Sequence, residues 1–390
     1  MKKTILFFVI ILTTIIGFAK EPQLSPNAEI SIITVDPGVL LLDTWGHSAI
    51  RIKDKQLNLD RVYNYGMYDF KTPGFYTKFM RGQLLYDLAA YPFYYFLKAY
   101  KRENREVIEQ VLQLTQEQKQ KYFEFLENNA KPENKKYLYD FFFDNCATKM
   151  RDVNTEVLNT NVNYKDELTK NKYTFRELIY QKLDNHPWAK FGIDIALGSV
   201  IDDEATVQQY TFLPSYAYDS FKNTTIIVNG EELPLIKETN ILYKAQKREV
   251  KKSSFTPMLF FTILSILIIF ITYRDYKNKK RTKGLDFALM IVTGLIGLLV
   301  FLLWFATDHK ATKVNLNLFW AFLPNLVVAF YVLKNKAKFL KKYYLLLLAL
   351  QLVMLVIWIF KIQVYNLAMI PVLLMLGVRY FYNYYNLSKS

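Results

Sequence analysis

From Phe255 to the C terminus the chain passes through five long apolar stretches, near 255–273, 285–306, 316–333, 343–360 and 364–380. Nothing else in the sequence limits its fold so strongly. Most of these stretches approach the ~20 residues that a helix needs to cross ~30 Å of hydrocarbon. Backbone polar groups find no water there, so helices that satisfy their own hydrogen bonds are expected. The last stretch is the weakest, because only Lys361 to Asn366 separates it from its neighbour and Pro371 interrupts it. The expectation is an all-α, five-helix transmembrane domain over residues 251–390, its last two helices forming a hairpin.

Orientation follows from the cations, since inward loops near membrane ends carry an excess of Lys and Arg. The connector after the first stretch holds Arg274, Lys277, Lys279, Lys280, Arg281 and Lys283, and the one after the third holds Lys334, Lys336, Lys338, Lys341 and Lys342. Both belong inside. The connector from Thr307 to Asn315 has only Lys310 and Lys313, so it faces outward with everything before Phe255. A second signal agrees: Met1-Lys2-Lys3, an apolar run from Ile5 to Phe18 and small residues at Gly17 and Ala19 read as a secretory signal peptide over 1–19. A retained anchor would need a longer run. The expected location is the bacterial inner membrane, multi-pass, with residues 20–250 as a periplasmic domain.

The net charge of +15 does not point to nucleic acid as a partner, because many of the cations are the loop clusters that set topology and meet anionic headgroups. The expected partner surface is the lipid bilayer. With a single cysteine, Cys146, the chain has no disulfide framework. No paired Cys or His stands at metal-binding spacing, and neither a GxxxxGK[ST] phosphate loop nor a GxSxG elbow occurs. No metal and no cofactor are expected.

The exported part reads as α+β. Strands are expected over Ile30–Val35, Ser48–Ile52 and Arg61–Tyr65, with a turn at Asp36-Pro37-Gly38 and a hairpin about Asn229-Gly230. Tyr94–Asn128 reads as two helices joined near Leu114–Thr115, the second opened by a Thr115/Gln118 capping box, and Tyr173–Leu183 as a further helix. The aromatic run Tyr137–Phe143 fits a strand or a buried helical turn. The aromatic group from Tyr91 to Phe96 fits core filling better than insertion into lipid.

After that run, Asp144 or Asn145 is a natural N-cap, placing Cys146 in the first turn of a helix. A thiol there meets free amides and the positive end of the helix dipole, which lowers its pKa and offers donors to an oxyanion. Equally, a free cysteine can be a small buried hydrophobe. A base for Cys146 must come from His47, His186 or His309, the only histidines. His47 is preferred, because in Trp45-Gly46-His47-Ser48 it opens a strand and can project into a cleft. Cys–His chemistry needs a third group to orient the imidazole. Asn64 qualifies if its strand lies beside that of His47, but it also reads as a turn residue before Gly66; Asp43 stands in reserve, and Asp144 could cap or orient. Arg51, Arg81 and Arg151 are candidates to grip a phosphate or carboxylate, or ordinary ion-pair partners. In the outward loop His309, Asn315 and Asn317, near Trp320, could complete a substrate site or simply form a hydrated connector.

Trp45–Arg51, Tyr63–Gly66, Phe79–Gly82, Phe141–Asp152, Tyr173–Leu178 and Trp188–Ile201 together resemble the Lnb-like lipoprotein N-acyltransferase family, and the resemblance extends over most of the chain. It implies a permuted papain-like thiol fold with the His-bearing strand ahead of the Cys-bearing helix, Cys146 as nucleophile and His47 as base. It further implies transfer of a fatty acyl chain from a membrane lipid acyl donor, through a thioester, to the α-amine of diacylated lipoproteins. Other readings are a membrane-anchored cysteine peptidase or amidase acting on cell-wall peptides, and a non-enzymatic membrane-anchored binding module.

Overall fold

The computed structural model describes residues 22–165, 168, 171–247, 253–334 and 337–388. The expected signal peptide and the boundary at 250/251 lie outside the described residues.

In the N-terminal domain, β1 (Glu29–Val35), β2 (His47–Asp54), β3 (Leu59–Met67), α1 (Phe75–Met80), β4 (Leu85–Pro92), α2 (Phe93–Glu103), β5 (Val107–Leu112), α3 (Gln116–Asn129), β6 (Lys136–Leu138) and α4 (Cys146–Leu158) follow in order. Then come β7 (Val162–Asn163), α5 (Phe175–Tyr180), α6 (Pro187–Ala196), α7 (Val207–Tyr210), α8 (Pro214–Asn223), β8 (Thr225–Val228), β9 (Glu231–Pro234) and β10 (Ile236–Tyr243). Seven strands form one antiparallel sheet in the order β10-β5-β1-β2-β3-β4-β6. Val35 pairs with His47, and Ile50 with Tyr63.

Alternation along β1, β2 and β3 divides their apolar residues between two cores. Ile30, Ile32, Ile50, Ile52, Tyr63 and Tyr65 pack with Tyr122 and Leu126 of α3 and with Ala147, Met150 and Val153 of α4. On the opposite face Ile33, Val35, Ala49 and Val62 meet Phe93 and Phe96 of α2. Each fully buried aliphatic or aromatic side chain contributes about 1.5–3 kcal/mol, so burial on both faces is what fixes the register of β2 between its neighbours. The Tyr91–Phe96 group is divided in the same way: Phe93 and Phe96 fill core, whereas Tyr94 and Tyr95 are exposed.

One expectation fails here. The first of the two helices expected over 94–128 stops at Glu103, where Asn104 takes a left-handed φ of 54°, and Val107–Leu112 forms β5 between β1 and β10. The stop signal is the αL asparagine, and the β-branched Val107, Ile108 and Val111 then favour the sheet. The aromatic run gives only the short β6, followed by turns.

The C-terminal region has five described helices: α9 (Pro257–Lys277), α10 (Lys283–Phe305), α11 (Asn325–Leu333), α12 (Ala337–Ile359) and α13 (Met369–Ser388). Three of them, α9, α10 and α12, are long and apolar enough to cross a membrane. The stretch 316–333 is not continuous: a 3-10 turn at Leu316–Phe319 and a break around Pro324 leave α11 only nine residues. Pro371 does not interrupt α13 but sits in its first turn, where a missing amide costs nothing. The second half of α13 is polar, with Arg379, Asn383, Asn386 and four tyrosines, and buried Arg379 binds Asp275 at 2.9 Å and Asp286 at 2.6 Å, tying α13 to the adjoining ends of α9 and α10.

Candidate functional site

Cys146 is the first residue of α4, and the helix begins there because Asn145 caps it. The amides of Ala147 and Thr148 donate to Asn145 Oδ1 at 2.8 and 2.9 Å, and the Asn145 amide donates to Thr148 Oγ1 at 2.8 Å. The Asn145 amide nitrogen Nδ2 also donates to the carbonyls of Phe141 and Phe212, anchoring the cap from behind. A buried cap of this kind holds the thiol in a fixed place on the sheet.

His47 opens β2, and Asn64 lies on the adjacent β3. His47 Nε2 donates to Asn64 Oδ1 at 2.6 Å, which leaves Nδ1 as the ring nitrogen available to the thiol. Asn64 is buried and held in turn, its Nδ2 donating to the Tyr91 hydroxyl at 3.0 Å. The imidazole is also flanked by Phe96 and Tyr100, with ring centroids 6.3 and 6.2 Å away. Gly66, with φ +92°, keeps the space beside the thiol open: a Cβ there would lie 3.8 Å from Cys146 Cβ, 3.9 Å from Tyr139 Cε2 and 4.0 Å from the Tyr137 hydroxyl. That conformation is one L side chains rarely adopt.

Electrostatics couple the thiol and the imidazole. Burial pushes the Cys146 thiol up, but the His47 charge, the hydrogen bond to His47 and the amides of Ser48 and Ala147 outweigh it, and the thiol lies below its ordinary value. Burial pulls His47 down, yet the negative charge on Cys146 and the hydrogen bonds to Cys146 and Asn64 outweigh that, and His47 lies above its ordinary value. Both shifts favour a thiolate–imidazolium pair, the form in which a cysteine is nucleophilic.

Tyr137 was not legible as a site residue. Its hydroxyl is buried without a hydrogen-bond partner, and burial together with negative charge on Cys146 raises its pKa. A donor left unpaired costs roughly 1–3 kcal/mol, and this one lies beside the Cys146 thiol. Within an irregular aromatic run, sequence gives no sign of which ring turns inward.

The other sequence candidates sit elsewhere. Arg51 is on β2, but its guanidinium is held by Asp60 at 2.7 Å and Glu109 at 2.9 Å and covers the Phe93 ring; it is a core ion pair rather than a substrate grip. Arg151 pairs with its neighbour Asp152 within α4 and ties that helix to the Gln208 carbonyl and Thr211. Arg81 is exposed, and its carbonyl accepts from the Asp308 amide. His186 precedes α6 at the N-cap position without a side-chain capping bond, Asp43 faces Arg105 at 3.5 Å, and Asp144 binds Lys149 at 2.7 Å. His309 rests against Gly82, with Nε2 donating to the Phe79 carbonyl at 3.1 Å.

Asn315 and Asn317 require the largest correction. At 0% and 1% exposure they cannot contact a substrate. Asn315 Nδ2 donates to the carbonyls of Ile195 and Ala196 at 2.8 and 3.0 Å, and Asn317 Nδ2 to that of Asp194 at 2.9 Å, while Trp320 Nε1 donates to Asn317 Oδ1. They cap the C-terminus of α6, whose last carbonyls would otherwise lack partners. Around them the Asp194 carboxylate binds Arg176 and Asn366, both at 2.8 Å, and Arg176 also grips Asp202. Gly198 approaches the loop so closely that a Cβ would stand 1.9 Å from the Lys313 carbonyl oxygen. The loops before α11 and α13 thus meet the N-terminal domain on one side. The basic connectors lie at the opposite helix ends.

Among the described residues no group of three or more His, Cys, Asp or Glu could hold a metal ion. The fold and site define a membrane protein whose N-terminal α+β domain carries a Cys–His–Asn constellation and is joined to a C-terminal region of apolar helices. Comparison with protein families matches residues 24–181 to the Lnb N-terminal periplasmic domain and residues 249–390 to the Lnb transmembrane domain. The chain is therefore an Lnb-like family member, a periplasmic domain followed by a transmembrane domain. Neither a curated protein nor a solved structure matches it.

Proposed function

We propose that this protein is a lipoprotein N-acyltransferase of the bacterial inner membrane, with Cys146 as nucleophile, His47 as acid and base, and Asn64 orienting His47. The observation that carries the reading is the 2.6 Å bond from His47 to Asn64 beside a capped thiol whose pKa is lowered. In the first step the Cys146 thiolate attacks the ester carbonyl of a membrane lipid. An S–C bond forms, the ester C–O bond breaks, and imidazolium His47 gives its proton to the departing alkoxide. In the second step the α-amine of a diacylglyceryl-cysteine attacks the thioester. The C–N bond forms, the C–S bond breaks, and His47 takes the amine proton. The Ser48 amide, which reaches the Cys146 sulfur, and the unpartnered Tyr137 hydroxyl beside it are the donors that serve the oxyanion.

In the same reading the periplasmic domain is a permuted papain-like fold, with the His-bearing β2 preceding the Cys-bearing α4, and α11 and α13 complete five spans around α9, α10 and α12. A family match to a transmembrane domain, and loops that meet the thiol domain, support transfer between lipid-borne substrates over hydrolysis of a soluble one. The test is mass spectrometry of lipoprotein N-termini from cells carrying wild type, Cys146→Ser or His47→Ala at matched levels. Free α-amines on diacylated lipoproteins in both variants are expected. Full N-acylation in both would refute the transferase and leave the peptidase or amidase reading.

A further inference from the structure

Among the described residues nothing covers the outer face of the apolar surface around α1. Phe70, Tyr76, Phe79 and Met80 are 65%, 73%, 51% and 60% exposed, on a segment that also carries exposed Lys71, Lys78 and Arg81. Large apolar side chains gathered on a surface mark a contact with membrane or protein. Rings fringed by cations suit a lipid interface.

Where this segment is fastened decides between the two. The Asp308 amide donates to the Arg81 carbonyl at 2.8 Å, Gln83 Nε2 donates to Asp308 Oδ2 at 2.7 Å, and His309 Nε2 donates to the Phe79 carbonyl at 3.1 Å. Asp308 and His309 lie three and four residues beyond the end of α10, a membrane-length helix that ends at Phe305 with that ring exposed. The exposed face of α1 is therefore joined to the lipid-facing end of α10.

From there rings continue to the thiol. Phe75 contacts Phe70, Tyr76 and Tyr68 at centroid distances of 4.8, 5.4 and 5.9 Å; Tyr68 contacts Tyr86 at 5.3 Å; and Tyr86 stacks on Tyr139 at 4.3 Å. Tyr139 borders the space that Gly66 leaves open beside Cys146.

We propose that α1 and its preceding turn, residues 68–80, form a foot that enters the outward lipid leaflet, and that the rings Tyr68, Tyr86 and Tyr139 are the wall along which the acyl chain of a membrane lipid reaches Cys146. This rests on the acyl-transfer reading for its purpose, but the foot itself can be tested alone.

The experiment uses the full chain in vesicles of phosphatidylethanolamine and phosphatidylglycerol. With benzoylphenylalanine at position 76, illumination is expected to give a phospholipid adduct by mass spectrometry. In the Phe70→Ser/Tyr76→Ser/Phe79→Ser variant, the rate of Cys146 thioester formation from vesicle phospholipid, divided by that from monomeric p-nitrophenyl butyrate, is expected to fall at least roughly tenfold. The ratio removes any general loss of folded protein. An adduct only with polypeptide, or an unchanged ratio, overturns the proposal. Failure of wild type to form a thioester from either ester overturns the acyl-transfer reading instead, and the adduct then decides the foot by itself.

Discussion

Replacing Asn64 by Ala removes the carbonyl that accepts from His47 Nε2 at 2.6 Å and leaves the ring held only by Cys146 and the Phe96 and Tyr100 faces. A hydrogen bond to a charged group is worth about 1.5–3 kcal/mol. At ~1.4 kcal/mol per factor of ten, thioester formation at neutral pH should fall between roughly tenfold and a hundredfold. The sign of the accompanying pH effect is fixed. The Asn64 bond is among the contacts that raise His47, so its loss lowers His47; the thiolate then loses its cationic partner, and the Cys146 thiol rises. The assay is the rate of iodoacetamide alkylation of Cys146, the single cysteine, against pH. Wild type should titrate below the ~8.5 of an ordinary thiol, and Asn64→Ala at higher pH than wild type. Asn64→Asp supplies a carboxylate and should hold the ion pair to higher pH on the imidazole side. An Asn64→Ala profile that overlays wild type, with acyl transfer unchanged, would refute the orienting role.

Tyr137→Phe deletes a buried hydroxyl without a partner, so melting temperature should hold or rise slightly, while kcat for thioester formation drops roughly tenfold or more if the group serves the oxyanion; unchanged kcat would remove it from the site. Arg51→Ala leaves Glu109 buried without its cation and should cost on the order of 3–5 kcal/mol in denaturant unfolding, with normal alkylation of Cys146 in the protein that remains folded. Loss of alkylation in folded Arg51→Ala would return that residue to the site.

Cys146 and His47 could be singled out because the choice was small, one cysteine and three histidines, whereas Asn64 qualified only if its strand lay beside that of His47 and otherwise read as a turn residue before Gly66. The structure brings these three together. Sequence could not give their distance, which depends on the β2–β3 register and on α4 packing across the sheet. Strand β5 was hidden because the residues before it continue a helical composition until Asn104. Asn315 lay beyond reach for another reason: the helix end it caps is 120 residues away in sequence. Polar residues in an outward loop look the same whether they await a ligand or complete a distant helix, and only burial separates the two.

The capping of α6 by Asn315 and Asn317 also limits how this chain could be divided or recombined. A fragment ending before the membrane helices would carry a helix with bare terminal carbonyls and an Asp194–Arg176 pair without Asn366. A membrane half from another protein would have to present two asparagine amides at the same height to seat this N-terminal half. The two parts are written as separate domains along the chain, yet each supplies the other's missing surface, so they are expected to unfold as one unit.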